Sequence, residues 1–156
     1  MTRLYGRAPK GERVIGTVPQ NYGENITLLG AVGLQGIQAV MTVNGATDAE
    51  VFRTYVKQVL GPTLAPGDIV VLDHLSAHKA TGLQQGLARR RARRLFLPPY
   101  APDLSPMALG LSTLKTALRA AQARTREALE TAVRQAMQTV TAIDARNWFR
   151  HCGYAL

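Results

Sequence analysis

Three features of the sequence predict an α/β fold. The run Ile69-Val70-Val71-Leu72 is apolar at every position and has an acid on either side, Asp68 and Asp73. Continuous apolarity on both faces marks a strand inside a helix-covered sheet. Two apolar stretches upstream are joined by glycines, as in a hairpin, and the last third of the chain carries apolar residues at helical spacing. With 156 residues, the chain has the length of one domain, which buries roughly 68–70% of its unfolded surface.

Taken in order, residues 25–32 and 37–43 predict an antiparallel pair connected through Gly33-Leu34-Gln35-Gly36, a four-residue link. Asn44-Gly45 closes it. Thr47 followed by Glu50 has capping-box spacing, and Val51, Phe52, Tyr55, Val56 and Val59 continue as one helical face until Gly61-Pro62 stops the helix near Leu60. Pro66-Gly67 turns into the strand 68–73. A helix over 79–90 buries Leu83 and Leu87, and 93–97 is the next strand, ended by Pro98-Pro99. Residues 98–106 hold four prolines, which makes a stiff, ordered loop. Ser105-Pro106 then starts a helix as cap and first residue. Met107, Leu111, Leu114, Leu118 and Ala121 form its apolar face; Ala108, Ser112, Lys115 and Arg119 form the opposite, exposed or cleft-facing one. Thr125 caps a helix whose Leu129, Val133, Ala136, Met137 and Val140 face the core. Asp144 caps a last one carrying Trp148 and Phe149.

The chain has 19 basic and 10 acidic residues, a net charge of +9. The excess is uneven: residues 14–72 sum to −2, whereas 73–111 and 112–156 each sum to +4. An acidic partner, nucleic acid first, is favoured over a neutral metabolite. A single cysteine excludes an internal disulfide and cysteine-rich zinc sites. No apolar run is long enough for a membrane span and the first residues are no secretion signal, so a soluble, cytoplasmic protein is expected.

Asp73 is the leading site residue, because the carboxyl ends of buried strands open onto the ligand face of α/β sheets. A metal or acid role there competes with a surface cap or a bridge to the arginines. His74 and His78 lack the further ligand that zinc needs, and His78 is expected to cap or line the helix starting at Lys79. His151 and Cys152, adjacent on a short helix, cannot face one another as base and nucleophile. Arg89-Arg90-Arg91-Ala92-Arg93-Arg94 is a phosphate-binding run by the forked geometry of its donors, or else a solvated helix end. Lys115, Arg119, Arg124 and Arg126 extend the track, diluted by Glu127 and Glu130. Gly30, Gly33 and Gly36 lack the strand-to-helix setting of a dinucleotide fingerprint, and no phosphate-cradling loop ending in Lys-Ser/Thr occurs.

Four segments together resemble the transposases of mariner-related bacterial insertion sequences, whose catalytic domain is RNase H-like and carries a DDE acid triad. They are Leu4-Tyr5-Gly6-Arg7-Ala8-Pro9-Lys10-Gly11, the strand Val70-Val71-Leu72-Asp73-His74-Leu75-Ser76-Ala77-His78-Lys79, the loop Leu97-Pro98-Pro99-Tyr100-Ala101-Pro102-Asp103-Leu104-Ser105-Pro106-Met107, and Trp148-Phe149-Arg150-His151-Cys152-Gly153-Tyr154. The resemblance implies an RNase H-like mixed sheet with flanking helices, Mg2+ or Mn2+ as cofactor, DNA as partner, and strand cleavage followed by strand transfer. Asp73 falls on the second acid and is the metal ligand; His74 stands where the family usually has Asn. Ala108 falls on the third acid's position, with 34 residues between it and Asp73, as the family spacing implies.

The first acid belongs upstream of the segment matching Leu4 to Gly11, where only Met1, Thr2 and Arg3 stand. The implied domain, spanning 1–156, is therefore partial. It lacks the first, central strand and the helix-turn-helix region, retains one acid, and is expected to be inactive alone. Its open sheet edges favour self-association or completion by a separately encoded N-terminal fragment. Asp103 is a weaker substitute for the third acid than a turn or cap residue. The competing readings are a non-enzymatic DNA-binding or transposase-binding remnant and an unrelated metal hydrolase, which would need a second carboxylate near Asp73.

Overall fold

The computed structural model describes residues 5–16 and 25–156; Met1, Thr2, Arg3 and Leu4, the last in the first resembling segment, lie outside them. Strands β1 (Ile26–Gly33) and β2 (Gly36–Asn44) form the antiparallel hairpin. Its connection is two residues, Leu34 and Gln35, not four, because Gly33 and Gly36 already pair. Gly36 takes the positive φ of +121°, a conformation that costs a residue without a side chain little. Further along, Leu29 pairs with Met41 but Ala31 with Gln38, so Gly30 faces both Ala39 and Val40. This is a bulge on β2, with Ala39 left-handed at φ 49°.

Helix α1 (Ala49–Tyr55) begins one residue later than the capping-box reading placed it. Asp48 is the cap, accepting the N–H groups of Glu50 and Val51 at 2.9 and 2.8 Å. Its carboxylate oxygen satisfies two of the free first-turn donors at once. The helix continues through a wider turn (Val56–Leu60) and a tight one (Gly61–Thr63), so Gly61-Pro62 ends it a few residues later than expected. Strand β3 (Ile69–Leu72) pairs in parallel with β4 (Arg93–Phe96). Between them a single turn (Ser76–Lys79) precedes the short helix α2 (Leu83–Ala88), which starts at left-handed Gly82. Residues 79–82 are thus not part of one long helix, although Leu83 and Leu87 are buried as expected. Leu87, wholly buried, is worth about 2–5 kcal/mol against alanine.

After a tight turn (Pro102–Leu104), α3 (Pro106–Ala121), α4 (Arg126–Thr139) and α5 (Ala142–His151) complete the chain. Ser105 occupies the cap of α3, where its carbonyl accepts the Ala108 N–H at 3.1 Å and its side chain makes no cap hydrogen bond. Thr125 caps α4 through the Ala128 N–H at 3.2 Å. The cap of α5 is Thr141; Asp144 sits three residues in and closes a capping box with it. The hairpin is covered on both faces. Leu28, Ile37 and Val40 pack on Leu114, Leu118, Ala132, Val133 and Ala136 of α3 and α4, while Leu29, Ala31, Ala39 and Met41 pack on the cluster of Phe52, Tyr55, Val56, Leu72, Leu83 and Leu87. Gly110 lets α3 approach β1 closely: a Cβ there would stand 3.1 Å from Val32 and 3.3 Å from Trp148.

The expected single mixed sheet is two two-stranded sheets among the described residues, one antiparallel and one parallel. β3 therefore has a strand neighbour on one side only, not the central place its apolar run predicts. Its second face is open: Ile69 is 45% and Leu95, paired with Val71 on the same side, 55% exposed.

Candidate functional site

The site lies at the carboxyl end of β3. Parallel pairing carries both strands in one direction, and the Leu97 N–H bond to the Leu72 carbonyl (2.9 Å) extends the ladder past β4. The chain then leaves the sheet at Asp73. Its Oδ1 accepts the Leu75 N–H at 2.9 Å, which sets the turn, and lies 2.6 Å from His78 Nδ1. The same Nδ1 hydrogen-bonds the Asp73 main-chain carbonyl at 3.3 Å; a carbonyl can only accept, so His78 donates from Nδ1. The turn Ser76–Lys79 brings His78 back over the strand end, where its ring lies 4.5 Å from that of Phe52. His78 is thus neither a helix cap nor a helix-lining residue. It is 17% exposed and fixes one oxygen of an Asp73 side chain that is 66% exposed. His74 turns away from this pair and stacks on Phe96 at 5.3 Å, while the Arg94 guanidinium lies 5.2 Å from the same ring. The two histidines do not converge.

Asp73, His74 and Lys79 line one side of a cavity of about 730 Å³. The proline loop forms its rim, and Met107, Ala108 and Leu111 of α3 form its far wall. Ala108 is in the first turn of α3, exposed. Ala108 and Leu111 also line a second cavity, about 440 Å³, with Ser112, Lys115 and Arg119. The stripe of α3 read from spacing is therefore one wall of a groove running from Asp73 to two cations. On the buried side, Gly110, Leu114 and Leu118 are the core residues; Met107 and Leu111 face the cavity and Ala121 is exposed.

Asp103 is elsewhere. It belongs to the tight turn before Ser105 and does not line the Asp73 cavity. Burial, and then the charge of Asp103, pushes the Cys152 thiol up. A raised thiol beside an acid is protonated and not a nucleophile, and His151 is exposed one residue before it. Tyr154 donates from its hydroxyl to the Leu104 carbonyl at 2.9 Å, so the terminal segment braces the proline loop from behind. Burial raises the Tyr154 phenol as well, with Cys152 as the second cause.

The arginine run sits at the other end of the small sheet. Arg89, Arg90 and Arg91 close α2, and Arg93 pairs with Ile69, the first residue of β3. Four residues of parallel strand separate that end from Asp73, about 13 Å. Arg89, Arg90, Arg91 and Arg93 are exposed and Arg94 is half-buried; Arg91 is left-handed at φ 56°. Arg126 is engaged by Glu130 at 3.1 Å. The Asp73–His78 pair is not visible in the sequence, because the turn Ser76–Lys79 that forms it precedes the helix expected from Lys79 and only its folded geometry brings His78 back to Asp73.

Two divalent ions sharing a phosphate need several oxygen ligands from the protein. Among the described residues no group of three or more His, Cys, Asp or Glu side chains converges, and Asp73 is the one carboxylate on the cavity wall. The residues present do not fit a two-metal centre. No helix among the described residues is long and apolar enough to cross a membrane.

A comparison with curated proteins finds none that matches this chain. A family model described as DDE superfamily endonuclease matches residues 1–130, a span that takes in the hairpin, the Asp73 strand, the proline loop and α3 and ends within α4. On that match, which covers most of its length, the chain belongs to the DDE superfamily endonuclease family.

Proposed function

We propose that this chain is a partial, catalytically degenerate transposase domain of mariner-related insertion-sequence type, which engages DNA and does not complete strand cleavage alone. The observation that carries the reading is the cavity that joins Asp73, on the second acid's position, to Ala108, on the third's. The family is generally dependent on a divalent metal. Asp73 offers one carboxylate and Ala108 none, so Mg2+ or Mn2+ would lack its remaining oxygen ligands. Arg89, Arg90, Arg91 and Arg93, with Lys115 and Arg119 along the groove, supply the phosphate contacts. The separation of about 13 Å between the arginine run and Asp73 is under half of a duplex turn of about 34 Å, so one DNA segment reaches both.

A second reading, a module that binds a transposase partner, draws on a separate observation. Among the described residues the two small sheets share no ladder, which leaves one edge of β3 unpaired, and Ile69 and Leu95 are exposed on the outer face of the same sheet. A strand from another copy, or from a separately encoded fragment, would pair with that edge.

A DNA mobility assay across salt tests the first reading. Six phosphate contacts give a slope of about −0.9 per contact, a loss of roughly 2000-fold between 50 and 200 mM salt. Replacing Arg89, Arg90, Arg91 and Arg93 with alanine leaves two contacts and a loss of roughly 12-fold. Absence of binding at low salt refutes the DNA reading. Sedimentation of the purified chain tests the second, and a stable monomer that captures no strand-bearing fragment refutes it.

A further inference from the structure

Tyr100 is the most exposed large hydrophobic residue described, at 103% of its reference area. It also lines the Asp73 cavity. Its φ is +58°, a left-handed conformation that is an outlier for a bulky side chain. The cost of holding it there is of the order that backbone outliers incur at functional sites. Pro98 and Pro99 before it and Pro102 after it fix their own backbone φ and so stiffen the loop that carries the ring. From behind, the Tyr154 hydroxyl secures the Leu104 carbonyl of the same loop. The loop that carries the ring is thus stiffened and braced, and the ring stands exposed at the mouth of the cavity with no core contact to explain it.

We infer that Tyr100 is a stacking platform for an unpaired nucleotide of DNA, whose base enters the cavity beside Asp73. This rests on the DNA-binding reading above and names the form of DNA the site takes. The cavity's volume of about 730 Å³ is ample for one nucleotide. Its walls combine flat proline surfaces with the polar edges of His74 and Ser105, the pairing a base with apolar faces and polar rim requires. Lys79 at the rim, and Lys115 and Arg119 further along the groove, match the charge of the phosphates. A paired base within a duplex has both faces covered and cannot meet the ring. A protein partner would bury the same ring without needing the cations.

Fluorescence anisotropy on the full chain, at low salt, tests this with three DNAs of one sequence: a blunt duplex, the same duplex with a three-nucleotide single-stranded end, and one whose end carries abasic sites. Stacking of one base is worth about 5- to 150-fold in affinity, so the single-stranded end binds roughly tenfold tighter than the blunt duplex, and the abasic end loses that gain. Tyr100→Ala removes the gain and leaves blunt-duplex binding unchanged, while Tyr100→Phe keeps it. A 2-aminopurine in the single-stranded end is quenched by the native chain and not by Tyr100→Ala. Equal binding of all three DNAs, or a gain untouched by Tyr100→Ala, overturns the inference while the DNA reading stands. Absence of binding to any of them overturns both. Because the ring is wholly exposed, Tyr100→Ala is expected to fold, and Tyr100→Gly, which relieves the backbone, gives the same readout without strain.

Discussion

Replacing Tyr55 with phenylalanine should make this protein more stable. The Tyr55 side chain is 2% exposed, and its hydroxyl, shut off from solvent, has no hydrogen-bond partner among the described residues. Its ring is held by Phe52 at 5.8 Å and by the surrounding cluster, so the phenylalanine ring keeps the same place. An unsatisfied buried hydroxyl costs roughly 1–3 kcal/mol. The void left by one oxygen returns a few tenths of that at about 24 cal/mol per Å³. A net gain of about 1–2 kcal/mol corresponds, for a chain of this size, to a rise in Tm of about 2–8 °C. Urea unfolding should show a higher midpoint with an unchanged slope. Burial also pushes the Tyr55 phenol far above its ordinary value. The folded state then holds its proton more tightly than the unfolded one. That contribution is fully present below the unfolded value of about 10 and is lost as pH rises beyond it. The variant should therefore lose less stability than the native chain above pH 10. A destabilisation of 1 kcal/mol or more, or parallel alkaline curves, would mean that the hydroxyl has a partner and that the reasoning fails.

Gln122 ends α3 in the left-handed conformation at φ 48° and is exposed; Gln122→Gly should stabilise by about 0.5–1 kcal/mol in urea unfolding, the left-handed penalty less the added chain entropy, and a loss of stability would refute it. Asp144 is held below the ordinary carboxylate range by the Thr141 hydroxyl and then the Thr141 N–H. Its contribution is present above the unfolded value near 4 and is lost as pH falls through the lower folded one; Asp144→Asn should flatten that acid limb, measured by thermal unfolding from pH 6 to pH 2. Ala108→Glu places a second carboxylate on the Asp73 cavity and should tighten Mn2+ binding at least about tenfold by calorimetry; equal binding by both proteins would show that the two positions do not face a common ion.

What was legible in the sequence was local. Leu83 and Leu87, Thr125 as a cap, and the buried face of α4 follow from spacing and from the chemistry of first-turn donors, which neighbours in sequence determine. Asp73 at a strand end and the proline loop were legible for the same reason. The caps at Asp48 and Thr141 were missed by one and three residues, because several oxygen-bearing side chains compete at each start and only backbone geometry selects among them. The division into two small sheets was not legible, since an apolar strand such as β3 looks the same whether one side or both are paired. Nor was the Asp73–His78 pair, because Ser76 to Lys79 fits a helix start as well as an isolated turn. The arginine run was found, but its distance from Asp73 depends on strand direction, which composition does not carry.

The bond from Tyr154 to Leu104 spans 50 positions of sequence, and this has a consequence for biogenesis. A ribosome adding roughly 5–20 residues per second finishes the proline loop several seconds before the residue that fastens it. From the time the loop leaves the ribosome until Tyr154 follows and docks, the loop beside Asp73 stays unfastened, open to proteases and chaperones. Any change that removes or disrupts Tyr154 prolongs that exposure, so lesions there should surface as altered cleavage near residue 100.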